Sequence, residues 1–399
     1  MPEGLTVLQV IPRMRAGGAE LGCLQIAEAL VKAGNRAIVV SEGGQLVDAL
    51  KAVGAEHIEM PVAAKSPVTL LSNARRLAAL IRRQNVAIIH ARSRAPAWSA
   101  LLAARKTEIP FVTTYHSEYS ERNKIKNIYN SVMARSDTVI AVSDYMAHLI
   151  RTRYQTPEDR IAIIHRAFDP EKFDPATVTA ERIAAVRQQL GADGSHPVLL
   201  LAGRITPRKA QNYLVDALGR LKQRGLGDVV CVLAGEIEKP EFKAALEAQA
   251  AKLGVGNTLR FPGHVKDMAA AYTITDISLN ISEQEGLPRV AIEAQAMGVP
   301  MIVSDTGPGR EVALTAPDVS LAQASGLRVP YADAKATADA LQTMLSWTRE
   351  ERQACGARGA AHVRSRFTLE QLTRKTLAVY DKVMASHHAK NHTSAGDDH

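Results

Sequence analysis

Short runs rich in Val, Ile and Leu recur along the chain, and the longer segments between them carry apolar residues at helical spacing. Continuous apolar runs of this kind are typical of strands that are buried on both faces of a parallel sheet. The first half contains LTVLQVI, NRAIVVS, VAIIHA, FVTTYH and TVIAVS, and the second half contains HPVLLLAG, DVVCVLAG, TLRFPG, ISLNIS and MIVSD. This alternation of strands with helices predicts two doubly wound α/β domains.

A segment rich in Pro and Asp at residues 166–179, RAFDPEKFDPATVT, interrupts the alternation and is the predicted linker. We place the first domain at residues 1–172 and the second at residues 173–366. Residues 367–385 predict an amphipathic helix, because apolar side chains share one of its faces, namely Leu369, Leu372, Leu377 and Tyr380. Residues 386–399 have no apolar face, and we expect them to be disordered.

Composition and cysteine usage exclude several classes of protein. Hydrophobic residues make up 46% of the chain and charged residues 23%, which excludes a disordered or collagen-like chain. Cys23, Cys231 and Cys355 lie far apart, so they form neither a disulfide framework nor a metal-ligand cluster, and a reducing cytoplasm fits them best. No apolar run approaches the roughly 20 residues that span a bilayer, and the first run lacks the basic flank of a signal peptide.

The positive charge is concentrated in the first half of the chain. The 49 basic and 41 acidic residues give a net charge of +8, of which residues 1–175 carry +6 (23 basic, 17 acidic) and residues 176–399 carry +2 (26 basic, 24 acidic). Only six Phe and nine Tyr are available for base stacking, and no nucleic-acid-binding motif is found. The sequence therefore predicts an anionic lipid or a phosphorylated small molecule as partner, and no nucleic acid.

Two pairs of residues at strand ends are candidates for binding an anion. Gly17 and Gly18 follow the first predicted strand and precede a helix, where backbone N–H groups approach an oxyanion; the alternative is a tight turn that needs positive φ. Arg204 and Lys209 follow the LLLAG strand and are placed to converge on a diphosphate; the alternative is a pair of solvated loop charges.

Two carboxylates interrupt an otherwise apolar segment, SEQEGLPRVAIEAQAMGVP at residues 282–300. Pro288 suits the first turn of a helix, which leaves Glu285 in the preceding loop and Glu293 on an apolar stripe of the helix. A carboxylate there is costly unless it accepts hydrogen bonds, and the vicinal hydroxyls of a sugar supply them. The alternative is an ion pair with Arg289 or Arg310.

Taken together, the motifs identify a family. GGAE (17–20), AGRITPRK (202–209), LAGE (233–236), FPGHV (261–265) and SEQEGLPRVAIEAQAMGVPMIVSD (282–305) resemble those of GT-B glycosyltransferases of family GT4, the retaining group with a Glu-x7-Glu signature. The resemblance covers roughly residues 5–383. It implies two Rossmann-like domains facing a cleft, with the C-terminal helix returning to the first domain, and transfer of a sugar from a nucleotide-diphosphate sugar to an acceptor hydroxyl.

The resemblance also implies roles for the second-domain residues. Glu293 matches the glutamate that holds the ribose hydroxyls of the donor, and Glu285 the one near the C3 and C4 hydroxyls of the donor sugar. Arg204 and Lys209 match the cations that bind the diphosphate, and they stabilise the leaving group. No Asp-x-Asp motif follows the predicted strands, so we expect a metal-independent reaction without a cofactor.

Further contacts are implied by the same comparison of motifs. The backbone N–H groups of Gly286 and Leu287 would face the sugar or phosphate, Gly17 and Gly18 would approach the donor from the first domain, and His116 in TTYHSEY would contact the transferred sugar near the reacting face. The sequence departs from the family where many members have Asn-Gly-Val-Asp, since residues 166–169 read RAFD. Retention in this family implies front-face attack, with the acceptor hydroxyl deprotonated by the leaving phosphate.

Other functions remain open at this level. A nucleotide-sugar epimerase shares the fold and diphosphate site, a dinucleotide oxidoreductase would need the missing G-x-G-x-x-G, and a non-catalytic nucleotide-sugar-binding protein would bind without turnover. For the transferase, a UDP-sugar is the first donor to test.

The acceptor is predicted from the charge of the first domain. RRLAALIRR (75–83) and RNKIK (122–126) are basic clusters, and each Lys or Arg is worth about 1 kcal/mol near an anionic membrane surface. The alternative is a helix that only covers the sheet. We predict a cytoplasmic enzyme, peripheral on the inner face of the cytoplasmic membrane, that glycosylates a glycolipid or a lipopolysaccharide core.

Overall fold

The computed structural model describes residues 4–15, 17–119 and 123–394. The chain divides into two compact units: unit 1 comprises Met1–Arg166 and Leu369–His399, and unit 2 comprises Ala167–Thr368. Each unit contains one parallel sheet with helices between the strands. The prediction of two doubly wound α/β domains is therefore confirmed.

The sheet of unit 1 has seven parallel strands in the order β3-β2-β1-β4-β5-β6-β7. The strands are β1 (Thr6–Val10), β2 (Arg36–Ser41), β3 (Glu56–Glu59), β4 (Val86–Ala91), β5 (Phe111–Tyr115), β6 (Thr138–Ala141) and β7 (Ile161–Ile163). The helices are α1 (Gly18–Lys32), α2 (Val47–Ala52), α3 (Pro67–Gln84), α4 (Arg94–Thr107), α5 (Lys124–Asn130) and α6 (Asp144–Tyr154), with 3₁₀ turns at Ser131–Ala134 and Glu158–Arg160.

The sheet of unit 2 has six parallel strands in the order β10-β9-β8-β11-β12-β13. They are β8 (Val198–Ala202), β9 (Val230–Ala234), β10 (Leu259–Gly263), β11 (Ile277–Asn280), β12 (Met301–Ser304) and β13 (Gly326–Val329). The helices are α7 (Ala180–Leu190), α8 (Gln211–Gln223), α9 (Pro240–Lys252), α10 (Met268–Thr273), α11 (Arg289–Ala296), α12 (Gly307–Val312), α13 (Ala334–Ser346) and α14 (Arg349–Arg366). Its 3₁₀ turns are Pro175–Thr177, Pro207–Lys209, Gly256–Thr258 and Leu321–Gln323.

The chain enters and leaves unit 2 at one place. Phe168 donates its backbone N–H to the Phe367 carbonyl at 3.1 Å and forms a parallel bridge with Thr368. The unit boundary thus lies at residues 166/167, at the start of the predicted linker. Among the described residues, no helix combines the length and the apolar composition needed to cross a bilayer.

The final helix, α15 (Leu369–Ser394), returns to unit 1 as predicted. Val379, Tyr380 and Val383 are buried in the apolar core that also contains side chains of α1 and the sheet. The prediction of a disordered tail from residue 386 is wrong up to residue 394, which is still helical; residues 395–399 lie outside the described residues. No Gly or Pro precedes Gly396 in this region, and a helix that is already nucleated extends at one hydrogen bond per residue.

Both sheets reverse their strand order at one point, between β1 and β4 in unit 1 and between β8 and β11 in unit 2. Loops at the carboxyl ends of the strands diverge at such a switch point and leave room for a ligand. The predicted site residues follow strands at or beside these two points.

Candidate functional site

The switch point of unit 2 brings together Lys209 and Glu285, which are 76 residues apart in the sequence. Lys209 ends the turn Pro207–Lys209 after β8, Glu285 lies in the loop after β11, and the ammonium donates a hydrogen bond to Glu285 Oε1. Only 18% of the Lys209 side chain and 15% of the Glu285 side chain are exposed. A mostly buried ion pair therefore stands where the two sequence-predicted residues were expected to meet a sugar diphosphate.

Glycine makes the approach of these loops possible. Gly203 and Gly235, the residues after β8 and β9, have φ of +149° and +155°, which disfavour L side chains. A Cβ on Gly235 would overlap the Gly203 carbonyl oxygen, and a Cβ on Gly203 would lie 3.3 Å from Lys209 Cε. The Lys209 side chain thus packs over a bare backbone that holds it at the strand ends.

Arg204 has a different environment from Lys209. Its side chain is 61% exposed and forms an ion pair with Glu238, in the loop after β9. Gln211 Nε2 donates to the Arg204 carbonyl at 3.0 Å and holds the loop. In the structure the two predicted diphosphate ligands thus pair with separate carboxylates, and the alternative of a solvated loop charge describes Arg204 better than Lys209.

Glu293 lies inside α11, and only 8% of the residue is exposed. Burial raises the pKa of its carboxyl, while the positive charges of Arg289 and Lys172 act in the opposite direction. The ion-pair alternative is realised with Arg289, whose Nη2 lies 3.5 Å from Glu293 Oε1, and not with Arg310, which pairs with Asp305 at 2.8 Å. At 3.5 Å this contact is long, so the buried carboxylate keeps capacity for stronger donors.

The loop between β11 and α11 is buried at Gly286 and Leu287. Pro288 is the N-cap residue of α11, which begins at Arg289, close to the predicted helix start. This arrangement leaves Glu285 in the loop and Glu293 one turn inside the helix, as the sequence predicted. The role of the Gly286 and Leu287 backbone in donor binding stays a prediction.

In unit 1, Gly17 is the N-cap residue of α1, which begins at Gly18. The φ of Gly17 is −106°, so the alternative of a turn that requires positive φ does not describe it. A Cβ on Gly17 would overlap Glu20 Oε2, so the missing side chain makes room for this carboxylate of the first helical turn. Donor binding by Gly17 and Gly18 stays a prediction.

His116 directly follows β5 and is only 9% exposed. Its carbonyl accepts a hydrogen bond from Arg166 Nη2 at 3.0 Å, and neither ring nitrogen has a hydrogen-bond partner among the described residues. Burial first, and then the charges of Arg166 and Arg92, lower the pKa of the His116 imidazole well below its usual value. The ring is therefore neutral near pH 7, with one N–H donor and one acceptor nitrogen. Arg166 belongs to the RAFD stretch that departs from the family pattern.

Sequence reasoning missed several residues around these sites. Arg92 follows β4 as Arg204 follows β8, so the signal of a cation after an apolar strand was present in VAIIHAR. The positive charge of Lys172 opposes the burial that raises the pKa of Glu293, and the negative charge of Glu293 adds to the burial that raises the pKa of Tyr272. Glu238 forms an ion pair with Arg204. No local pattern identifies these three, because they reach the site from other elements.

Two protein families match this chain. Residues 16–172 match the family described as Glycosyltransferase Family 4, and residues 183–362 match the family described as Glycosyl transferases group 1. The two matches together cover most of both units. The first match ends six residues past the boundary at residues 166/167, and the second lies wholly within unit 2.

Relatives and solved structures agree with these matches. A D-inositol 3-phosphate glycosyltransferase of Saccharomonospora viridis is 31% identical over 265 residues, which cover 64% of this chain and 58% of that relative's length. The crystal structure of a glycosyltransferase from Rickettsia africae is 32% identical, with a TM-score of 0.85 and coverage of 96% of this chain and 99% of that chain. The Anabaena HepE protein in complex with UDP and glucose has a TM-score of 0.80 at 20% identity, over 94% and 99% of the two chains, and shows the shared fold.

Proposed function

Because this chain belongs to the glycosyltransferases of family 4, we propose that it transfers a sugar from a UDP-sugar to an acceptor hydroxyl with retention of configuration. The GT-B fold implied by the motifs is confirmed by the two Rossmann-like units and by the solved relative. The observation that carries the proposal is the mostly buried Lys209–Glu285 pair at the switch point of unit 2. The presence of UDP in the HepE complex supports the choice of uracil as the nucleobase of the donor.

The donor would be held by charges that are already in place. Lys209 is fixed by Glu285 and stands ready to stabilise the negative charge that develops on the departing diphosphate. Glu285 is held by the same pair and would accept hydrogen bonds from hydroxyls of the transferred sugar. Arg204, whose side chain is 61% exposed, would move from Glu238 to the diphosphate.

Glu293 would bind the ribose. Among the described residues the buried carboxylate has only a long contact with Arg289, and two vicinal hydroxyls each donate one hydrogen bond to such a group. These bonds would offset the desolvation that raises the carboxyl pKa. We propose no metal ion, since Lys209 and Arg204 supply the positive charge that the leaving group requires.

The proposed acceptor is a phosphorylated or membrane-anchored molecule. The net charge of +6 on residues 1–175 favours an anionic surface, and the relative named for D-inositol 3-phosphate supports an anionic acceptor. Because the basic residues of the first half favour an anionic membrane surface, we propose a glycolipid or a lipopolysaccharide core at the inner face of the cytoplasmic membrane as the acceptor.

Exposed apolar side chains accompany the basic ones in unit 1. Val68 and Leu71 in the first turns of α3, and Ile125 and Ile128 in α5, are all largely exposed. The arginines of the 75–83 cluster are exposed on α3 as well, while Leu77 and Ile81 are buried, so this helix covers its neighbours and still presents cations. Of the 122–126 cluster, Arg122 lies outside the described residues. The presence of apolar and basic groups on each of these two helices supports peripheral membrane binding.

Donor binding is tested by thermal unfolding with UDP-, GDP- and ADP-sugars, because a ligand that binds only the folded state raises its apparent stability. We expect a UDP-sugar to raise the melting temperature of the wild-type protein and of Lys252→Ala, whose lysine is exposed on α9, but to raise that of Lys209→Ala much less. An equal shift in Lys209→Ala would contradict the placement of the diphosphate.

Membrane binding is tested by flotation with anionic and neutral liposomes at low and high salt. We expect recovery with anionic liposomes at low salt, release at high salt, and weaker recovery of Ile125→Asp. The matched control is Leu321→Asp, which changes an exposed apolar residue of unit 2. Equal, salt-insensitive recovery with both lipids would leave a soluble acceptor as the better proposal.

A further inference from the structure

Arg92 occupies the switch point of unit 1. It is the first residue after β4, its backbone N–H donates to the Val10 carbonyl at the end of β1 at 3.0 Å, and only 5% of the residue is exposed. Its Nε donates to Gln9 Oε1 at 2.7 Å, and Gln9 Nε2 in turn donates to the Cys23 carbonyl at 3.1 Å. The guanidinium is therefore fixed between the two strands that diverge at this point.

The C-terminal helix contributes a tyrosine beside Arg92. The Tyr380 hydroxyl on α15 shares a 2.8 Å hydrogen bond with His90 Nδ1, and the positive charge of Arg92 opposes the burial that raises the pKa of this hydroxyl. His90 Nε2 shares a 2.7 Å hydrogen bond with Thr114 Oγ1 on β5. These side chains form a buried polar network across α15, β4 and β5, and every partner in it is uncharged.

The positive charge of Arg92 thus has no carboxylate partner among the residues that the structure describes. Its hydrogen-bond partner there is Gln9, and its charge acts on the nearby Tyr380 and Cys23 side chains. A buried cation without an anion costs free energy, and most buried polar groups in folded proteins are paired.

The unsatisfied groups of this cluster belong to Arg92 and His116. Arg92 Nη2 and both ring nitrogens of His116 are without a hydrogen-bond partner in the described part of the chain. Arg92 Nη1 lies beside α1, since a Cβ on Gly22 would be 3.7 Å from it. A guanidinium edge and a neutral imidazole, each more than nine-tenths buried, thus follow the neighbouring strands β4 and β5 without a hydrogen-bond partner in the described part of the chain.

We propose that Arg92 binds a phosphate group carried by the acceptor, next to His116. This inference rests on the proposed transferase function and names the substrate class for the same reaction. The planar guanidinium donates two parallel hydrogen bonds to phosphate oxygens, and the His116 N–H donates to a third oxygen or to the acceptor hydroxyl. The hydrogen bonds through Gln9 fix the direction of the guanidinium.

Phosphate binding is measured by calorimetric titration at constant ionic strength, so that activity is not the readout. The background is Lys209→Ala, which removes the phosphate response expected of the donor site. On this background we expect saturable binding of inositol 3-phosphate but none of inositol, and Arg92→Gln is expected to weaken the phosphate Kd at least tenfold. Arg105→Gln, at the exposed far end of α4, is the charge-matched control and should change it less than twofold.

A purely structural role of Arg92 would lower the melting temperature and leave the phosphate Kd unchanged, and that result would overturn the proposal. If Arg92→Gln does not fold, Arg92→Lys carries the test, because it keeps the charge but loses the planar fork; an unchanged Kd would again refute the assignment. Titration with vesicles that contain phosphatidic acid distinguishes the source: an Arg92-dependent response only to vesicles indicates a lipid phosphate, and one to inositol 3-phosphate a soluble acceptor.

Failure of this inference and failure of the proposed function are separable. The thermal response to a UDP-sugar is measured in the protein with Lys209 intact, with and without Arg92→Gln. We expect that response to persist in Arg92→Gln. Its absence in the wild-type protein counts against donor binding, whereas an Arg92-independent phosphate Kd counts only against the acceptor site.

Discussion

Replacement of Lys209 by Ala should separate the structural from the catalytic role of the Lys209–Glu285 pair. The change removes a cation that is 18% exposed and leaves Glu285, 15% exposed, without it. Breaking a fully buried pair costs about 3–5 kcal/mol. The partial exposure of both side chains, and the other contacts that Glu285 keeps, reduce the expected loss in free energy of unfolding to about 1–3 kcal/mol.

Arg204→Ala is the matched comparison, because Arg204 is 61% exposed and its pair with Glu238 is a surface pair. Exposed pairs contribute about 0–1 kcal/mol to stability. Both variants should nevertheless lose transition-state stabilisation of about 2–4 kcal/mol, which corresponds to about a 30- to 900-fold decrease in kcat. The two variants are thus expected to differ in stability while they resemble each other in activity.

Urea unfolding followed by circular dichroism measures the stability, and initial rates of sugar transfer measure the activity. A double-mutant cycle with Glu285→Gln isolates the pair, since residues in direct contact give non-additive losses. Additive losses would refute the ion pair. A rate within about threefold of wild type, where a loss of at least 2 kcal/mol was expected, would remove the residue concerned from the donor site.

Three further predictions concern the course of the reaction, His116 and Tyr380. Transfer should survive EDTA and retain the anomeric configuration in the product NMR spectrum, and an absolute requirement for Mg²⁺ or Mn²⁺, or an inverted product, would contradict the proposed mechanism. Because the pKa of buried His116 is lowered, the unfolded chain binds a proton at this residue that the folded chain does not, and the protein loses stability as the pH falls below about 6.5. His116→Gln should therefore lessen the fall in melting temperature between pH 7 and pH 5, measured by calorimetry. An unchanged fall would refute this. Tyr380→Phe removes the 2.8 Å hydrogen bond to His90 and should lower the free energy of unfolding by about 1–2 kcal/mol. Tyr380→Ala should lower it by about 3–5 kcal/mol. Both are measured by urea unfolding, and equal losses would show that the hydroxyl, and not the ring, carries the effect.

Most of the strands that sequence alone identified are buried along nearly their whole length; the exception is β10, a partly buried edge strand. A strand that is covered on both faces must be apolar along its length, and this produces a continuous run of apolar residues in the sequence, as in β4 and β8. The short strands β3, β7 and β13 were missed. Each lies at an edge of its sheet and is only partly buried, so EHIE, IAI and GLRV do not form long apolar runs. Pairing with a neighbouring strand, not composition, makes them strands.

The identity of the unit 2 site residues was also readable from the sequence, whereas their partners were not. Glu285, Glu293 and Lys209 stand out locally because a charge interrupts an apolar segment or follows a strand. Lys209 pairs with Glu285, and Glu293 pairs with Arg289 although the sequence also allowed Arg310. These choices depend on which strands are adjacent and on the direction in which each loop turns. Sequence spacing carries no information about that choice.

Arg92 shows the same division most clearly. Its position after an apolar strand is a local signal, but its meaning comes from a tyrosine 288 residues later that returns on α15, and from Gln9 on the neighbouring strand. Burial and the absence of a carboxylate in the described surroundings are properties of packing between distant segments. A single sequence specifies which side chains can be charged; only the fold decides which of those charges remain unpaired and are therefore available to a ligand.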